Sequence, residues 1–210
     1  MRRTARFLAL AAVLAVVGCN RPEGEPLNEE ATPPEGTARE SDRESPSRMP
    51  EAEQHTAAAR IEGKSGSSLS GEATLMEQDD SVEIVVRLSN ATPGPHAVHL
   101  HENGDCSGDD ASGAGQHWNP TDSPHGKRGS GSFHVGDIGN VEVGPDGSGT
   151  LTLVAQDWSL DAGGENDPVG KAIVVHAQAD DFTTQPDGGA GQKVGCGVVE
   201  RRKMTSASSP

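Results

Sequence analysis

The sequence predicts an all-β fold, an antiparallel sandwich or flattened barrel of roughly eight short strands with long loops. Three observations carry this expectation. Apolar residues alternate with period two in several short stretches, as in Val82, Ile84 and Val86. Helix start and stop signals are nearly absent. Glycine occurs 27 times while aromatics number only three Phe, two Trp and no Tyr, so loops are long and the core is mainly aliphatic.

In chain order, residues 1–18 read as an export signal. Arg2, Arg3 and Arg6 form a basic start, and Phe7 to Val17 an apolar run too short to span a bilayer comfortably. The ending Val16-Val17-Gly18-Cys19 looks like a bacterial lipobox, in which Cys19 is lipidated and becomes the mature N-terminus. Residues 19–56 are rich in Glu, Pro, Ser and Arg and nearly devoid of large apolar side chains. Such a segment buries too little surface to offset its ordering entropy, so a disordered tether is expected, with His55 a solvated histidine within it.

The folded domain is expected over 57–202, with a disordered tail at 203–210. Ala58–Ile61 opens the strand pattern, and Glu72–Met76 and Val82–Leu88 form a hairpin around Asp79-Asp80, although Val85 and Leu88 depart from strict alternation. A turn at Asn90–Pro95 leads into Pro95-His96-Ala97-Val98-His99-Leu100-His101-Glu102. Two histidines two residues apart on an extended segment share a face, while Val98 and Leu100 point to the other. Residues 103–137 are nearly strand-free, and a loop of that length is functional or disordered. Strands resume at Gly139–Val143, Thr150–Ala155, the buried-type run Ala172–His176, and around Cys196–Val199. Loops at 156–170 and at Gln178–Val194 separate them.

The formal charge of −15, from 17 basic and 32 acidic residues, argues against a nucleic-acid partner, since no basic stripe can neutralise phosphates. Loss of Arg2, Arg3 and Arg6 with the signal would take it to −18. Cys106 and Cys196 have no Cys-x-x-Cys spacing, and a disulfide between them fits an exported protein. The domain holds seven histidines, at 96, 99, 101, 117, 125, 134 and 176. Any one alone reads as a hydrogen-bonded or surface residue. As a set, in loops that lack a core of their own, they point to a metal whose binding energy becomes folding energy.

Over about residues 57–201 the sequence resembles the copper/zinc superoxide dismutase family, specifically its exported bacterial lipoprotein type. The motifs are His99-Leu-His101-Glu, His117-Trp-Asn-Pro, His125-Gly, His134-Val-Gly-Asp137-Ile-Gly-Asn, Val-Val-His176-Ala-Gln-Ala-Asp180-Asp181 and Gly-Cys196-Gly-Val. The resemblance implies an eight-stranded Greek-key barrel, immunoglobulin-like in architecture, with long metal-binding and electrostatic loops. It implies one copper and one zinc per subunit. Copper would be held by His99, His101, His117 and His176, and zinc by His117, His125, His134 and Asp137, with His117 bridging the two. Asp180 matches the carboxylate that links His99 to His125, Cys106–Cys196 the disulfide pinning the metal loop, and His96 a packing residue outside the ligand sets.

The donor types agree with this assignment: four nitrogens suit Cu(II), and three nitrogens with one carboxylate suit a closed zinc site. The implied reaction converts superoxide to O₂ and hydrogen peroxide, with His117 and Lys193 as catalytic residues. Lys193 stands where the family carries an arginine that guides the anion; lysine keeps the charge and loses the planar fork of donors. A copper or zinc carrier needs neither a bridging ligand nor an anion clamp, and a zinc hydrolase needs an open zinc position. Both therefore fit less well. The expected setting is the cell envelope, on the periplasmic side, held to a membrane through Cys19, with a homodimer left open.

Overall fold

The computed structural model describes residues 55–202 except residue 162. Residues 1–54, on which the expected export signal, Cys19 and most of the expected tether fall, and residues 203–210 lie outside the described residues. Among the described residues, nine strands make one antiparallel sheet that closes on itself. They are β1 (Thr56–Gly63), β2 (Ser70–Gln78), β3 (Ser81–Ser89), β4 (Gly94–His101), β5 (Asp137–Val143), β6 (Gly149–Ala155), β7 (Ala172–His176), β8 (Lys193–Val198) and β9 (Glu200–Arg202). The order around the barrel is β2-β3-β6-β5-β4-β7-β8-β1, with β1 also pairing β2 to close the ring. Strands β3 and β4 are neighbours in sequence but lie apart in the sheet, with β6 and β5 between them, so the connections cross as in a Greek key. The eighth strand is interrupted at Val199, and its continuation β9 pairs with β1, Glu200 standing opposite Ala58.

Period-two patterning sets the interior. Val82, Ile84, Val86 and Leu88 are all buried along β3, so Leu88 is in phase and Val85 alone leaves the inward row. Ala73 and Leu75 match them across the β2–β3 ladder, where Ala73 faces Val86 and Leu75 faces Ile84. The aliphatic core also takes in Val98, Leu100, Ile173 and Val175, with Trp118 and Trp158 at one end.

Strand β7 is buried on both faces, and a second cluster explains why. Ile173 and Val175 face the barrel interior, whereas Ala172 and Val174 pack with Ala111, Ala114, Cys106 and Cys196 beneath the loop that follows β4. The Cys106–Cys196 disulfide joins that loop to β8 across 90 residues, with Cα atoms 5.7 Å apart.

Two sequence expectations are corrected. Asp137 opens β5, two residues before the strand start expected at Gly139, because it pairs with His99 after a bulge at Val98/His99. His55 is tied to the sheet, although its side chain stays 41% exposed. Its Nδ1 lies 2.8 Å from Glu77 Oε2, and its carbonyl accepts from the Glu77 N–H at 3.0 Å, which extends the β1–β2 pairing by one step. Composition hid this, since the partner is on another strand. No described helix is long and apolar enough to cross a membrane.

Candidate metal centre

The site is assembled at one end of the barrel by three short backbone links. Leu100 N–H donates to Gly136 C=O, Gly136 N–H to Trp118 C=O, and Trp118 N–H to Leu100 C=O, each at 2.8 Å. This ring ties β4, the His117 segment and the His134–Asp137 turn together, so that residues far apart in sequence meet. Gly136 is required here: a Cβ would stand 2.4 Å from the Leu100 carbonyl oxygen. Sheet register adds the rest. His101 forms an isolated bridge with His117, and His176, at a bulge in β7, stands opposite Lys193 on β8.

All seven proposed ligands are buried and fall into two groups that share His117: His99, His101, His117 and His176, and His117, His125, His134 and Asp137. In the first group, outer contacts select the nitrogen left for a metal. His99 donates from Nε2 to Asp180 Oδ2 at 2.9 Å, His101 from Nδ1 to Gly115 C=O at 2.9 Å, and His176 from Nδ1 to Gly191 C=O at 3.1 Å. The inward atoms are thus His99 Nδ1, His101 Nε2 and His176 Nε2, the last two 3.3 Å apart. In the second group His117 Nδ1 lies 3.1 Å from Asp137 Oδ1 and 3.3 Å from His134 Nδ1, and His134 Nδ1 lies 3.4 Å from Asp137 Oδ1.

These donors fit a pair of metal ions. A tetrahedral ion with bonds of about 2.1 Å spaces its ligands about 3.4 Å apart, close to the separations in the second group. Three buried nitrogens, His99 Nδ1, His117 Nε2 and His125 Nδ1, have no hydrogen-bond partner among the described residues. His125 Nδ1 does lie 3.0 Å from Asp137 Oδ2, but without the geometry of a hydrogen bond. Buried polar atoms left unpaired are costly, and each of these is pointed at one of the two donor groups.

Electrostatics agree. Burial, with the neighbouring rings adding to it, holds His101 down at about 2 and His176 at about 3. Burial also brings His117 to about 4, against the pull of Asp137. These rings are neutral at physiological pH, the form that ligates metal. For His125 burial is outweighed by Asp137 and Asp180, which raise it to about 10. Burial would raise Asp137, but the His117, His125 and His134 rings set close around its carboxylate, with a hydrogen bond from the His134 N–H, hold it far below the carboxylate range. A doubly charged ion at the second group would supply the positive charge that its carboxylate attracts.

Asp180 joins the groups: besides His99 it takes His125 Nε2 on Oδ1 at 2.9 Å. His96 stays outside both, its ring spanning the carbonyls of His176 and Thr92 at 2.7 Å each. Lys193 is half-buried beside the first group and donates from Nζ to Gly115 C=O at 3.0 Å and Ala111 C=O at 3.3 Å. Burial lowers its pKa below the ordinary lysine range.

Sequence reasoning missed supporting residues, Asn140 and Arg128 among them. Asn140 accepts from the Asp180 N–H at 2.7 Å and donates to its carbonyl at 3.0 Å, fixing the carboxylate that links the groups. Arg128 donates from Nε to the Asp137 carbonyl at 2.9 Å and also bonds Val135 C=O and the Asp157 carboxylate. Asn140 sits in a quoted motif; an arginine in a Gly- and Ser-rich loop of a strongly acidic chain was the available signal for Arg128.

Comparisons with known proteins agree with this geometry. The family model described as copper/zinc superoxide dismutase (SODC) matches residues 69–199. The superoxide dismutase (Cu-Zn) of Caulobacter vibrioides is 38% identical over 135 residues, covering 62% of this chain and 78% of that protein. The enzyme of the same name from Onchocerca volvulus is 34% identical over 145 residues, covering 64% and 90%, and that from Deinococcus radiodurans is 34% identical, covering 63% and 78%. Among solved structures, a double mutant of a SOD-like protein from Bacillus subtilis superposes with a TM-score of 0.61 at 32% identity, covering 67% of this chain and 95% of that one. The clock protein EA4 superposes with a TM-score of 0.61 at 33% identity, covering 69% and 93%. A match that runs from the loop before β2 to the end of β8, together with both donor groups in place, means that the chain belongs to the copper/zinc superoxide dismutase family.

Proposed function

We propose that the protein is a superoxide dismutase of the cell envelope, turning two superoxide anions and two protons into one O₂ and one hydrogen peroxide. The observation that carries this reading is the shared His117: one buried ring with Nδ1 in the three-nitrogen-one-carboxylate group and a partnerless Nε2 facing the four-histidine group. Copper bound by His99, His101, His117 and His176 supplies the one-electron oxidation and reduction, and zinc bound by His117, His125, His134 and Asp137 supplies fixed positive charge and order.

The protein's own groups do the rest. Asp180 and the Gly115 and Gly191 carbonyls fix which nitrogen of His99, His101 and His176 faces inward. Asp137 and His134 surround His117 Nδ1, so Nε2 is the one nitrogen of this ring that would either face copper or hold a proton. Lys193 is the local cation that draws in and holds the anion. Two of its three N–H bonds go to loop carbonyls, which leaves the third for a ligand. In a chain of formal charge −15 this attraction has to be local, because salt screens surface charges beyond about 10 Å at 0.1 M.

Export and lipid anchoring at Cys19 belong to the same proposal, supported by the Val16-Val17-Gly18-Cys19 ending and by a disulfide suited to an oxidising compartment. Metal analysis with a superoxide-decay assay on the purified protein tests the activity. One copper and one zinc per chain with metal-dependent decay are expected, and a protein loaded with both metals that leaves superoxide untouched refutes it. Detergent phase partitioning of the parent against Cys19→Ser tests the anchor, and a parent found in the aqueous phase refutes that part.

A further inference from the structure

His125 lies in a segment with almost no regular structure, yet it is buried to within 4% of complete. Among the described residues its backbone N–H and C=O have no main-chain partner. Both are taken by one side chain from the other loop. The His125 N–H donates to Gln185 Oε1 at 2.8 Å, and Gln185 Nε2 donates to the His125 carbonyl at 2.9 Å. A primary amide presents one acceptor and two donors in a plane, and here it substitutes for the neighbouring strand that His125 lacks. The second N–H of Nε2 goes to Thr183 C=O at 3.3 Å, so both donors of the amide are used.

The reach of Gln185 is set locally. Asp180 Oδ1 accepts from the Phe182 N–H at 2.7 Å, and Asp181 Oδ1 accepts from the N–H groups of Thr183 at 2.8 Å and Thr184 at 2.7 Å. These turns fix the spacing between Asp180 and Gln185, the two residues of this loop that reach His125. Asp180 holds the ring at Nε2, and Gln185 holds the backbone. The loop is close-packed at this point. Gly188, at φ +68, could not carry a Cβ, which would lie 2.1 Å from Asp180 Oδ1 and 2.7 Å from His125 Nε2.

We propose that Gln185 is a positioning residue for the zinc site: its side-chain amide clasps the backbone of His125 and so sets where Nδ1 of that ligand stands. This rests on the zinc reading of the His117, His125, His134 and Asp137 group. Outer contacts to a metal ligand commonly govern affinity by 10- to 100-fold. Gln185 is otherwise solvent-exposed, so water competes for its bonds and the effect belongs at the lower end of that range. The same exposure means that replacing it leaves no cavity in the core.

The experiment compares the parent full-length chain with Gln185→Met, similar in length without either bond, and Gln185→Glu, which keeps the acceptor and loses the donor. Zinc and copper release to a chelator are followed separately, with Co(II) as a spectroscopic probe of the zinc position and thermal unfolding of the metal-free protein as control. Gln185→Met is expected to release zinc about tenfold faster and to change the Co(II) spectrum, with copper release and metal-free melting unchanged. Gln185→Glu should fall between it and the parent. Unchanged zinc release in Gln185→Met overturns the proposal, as does equal acceleration of both metals with a lowered metal-free melting point. A parent that takes up no zinc at all overturns the zinc reading itself, and the proposal with it.

Discussion

Arg128 gives the sharpest test of how the loop carrying His125, His134 and Asp137 is held. Its side chain is only 11% exposed although it bears a full charge, with the guanidinium 4.7 Å from the Phe133 ring centroid and 5.3 Å from that of Trp158. One fork serves the Asp137 and Val135 carbonyls and the Asp157 carboxylate. Replacing it by methionine keeps an unbranched stem against the two rings and removes all of these bonds.

The parts differ in weight. Hydrogen bonds from a charged donor contribute about 1.5 kcal/mol or more each, so the two carbonyl contacts come to about 3 kcal/mol. The pair with Asp157 adds less, since that carboxylate is 33% exposed and can turn to water. Val135 C=O keeps a second donor, Trp158 Nε1 at 2.9 Å. Relief of the guanidinium's desolvation, which pulls the Arg128 pKa down, offsets part of the loss. Arg128→Met should therefore cost about 3 kcal/mol, the lower end for breaking a buried charged network. For a domain of this size that is a fall of about 6–12 °C in Tm. The assay is thermal and urea unfolding of the metal-free protein, so that metal binding does not mask the change. Arg128→Lys, which can serve one carbonyl, should recover about half. A metal-free Arg128→Met within about 1 kcal/mol of the parent would show that the fork does not hold the loop.

Lys193→Ala should slow the reaction with superoxide at unchanged metal content, Lys193→Glu should slow it further, and both deficits should shrink with rising salt in stopped-flow decay. Because burial lowers the Lys193 pKa, its charge, and with it the rate, is present below that pKa and lost as pH rises through it. Lys193→Arg should hold the rate to higher pH, and Lys193→Glu as fast as the parent at low salt refutes the role. Asp137→Ala removes one zinc donor and leaves four nitrogens for copper, so zinc content and stability should drop while copper occupancy holds. Copper lost with zinc retained, measured by elemental analysis, reverses the assignment. Reducing Cys106–Cys196, which closes 90 residues, should destabilise the protein by at most about 4.5 kcal/mol on chain-entropy grounds, read as a lower Tm. An unchanged Tm after verified reduction counts against it.

What the sequence determined by itself follows from constraints written into residue type and period. Alternation along Val82–Leu88 has to put one row inside, because a strand turns every second side chain to the same face. Imidazole is a ready metal donor, so the seven domain histidines pointed to a metal as a set, while the choice of His99, His101, His117, His125, His134, His176 and Asp137, with His96 left out, was legible only through the family motifs. The double burial of β7 was also readable in its apolar run, though not what covers its outer face. Tertiary structure alone decided the supports. Gln185 on His125, Asn140 on Asp180, Arg128 on Asp137 and Glu77 on His55 join segments with no common period, and in sequence each is an ordinary polar residue of a loop or strand. Their roles arise from loops brought within about 3 Å by barrel closure and the β4 bulge, and hydrogen bonding selects by distance and angle, which no local pattern encodes.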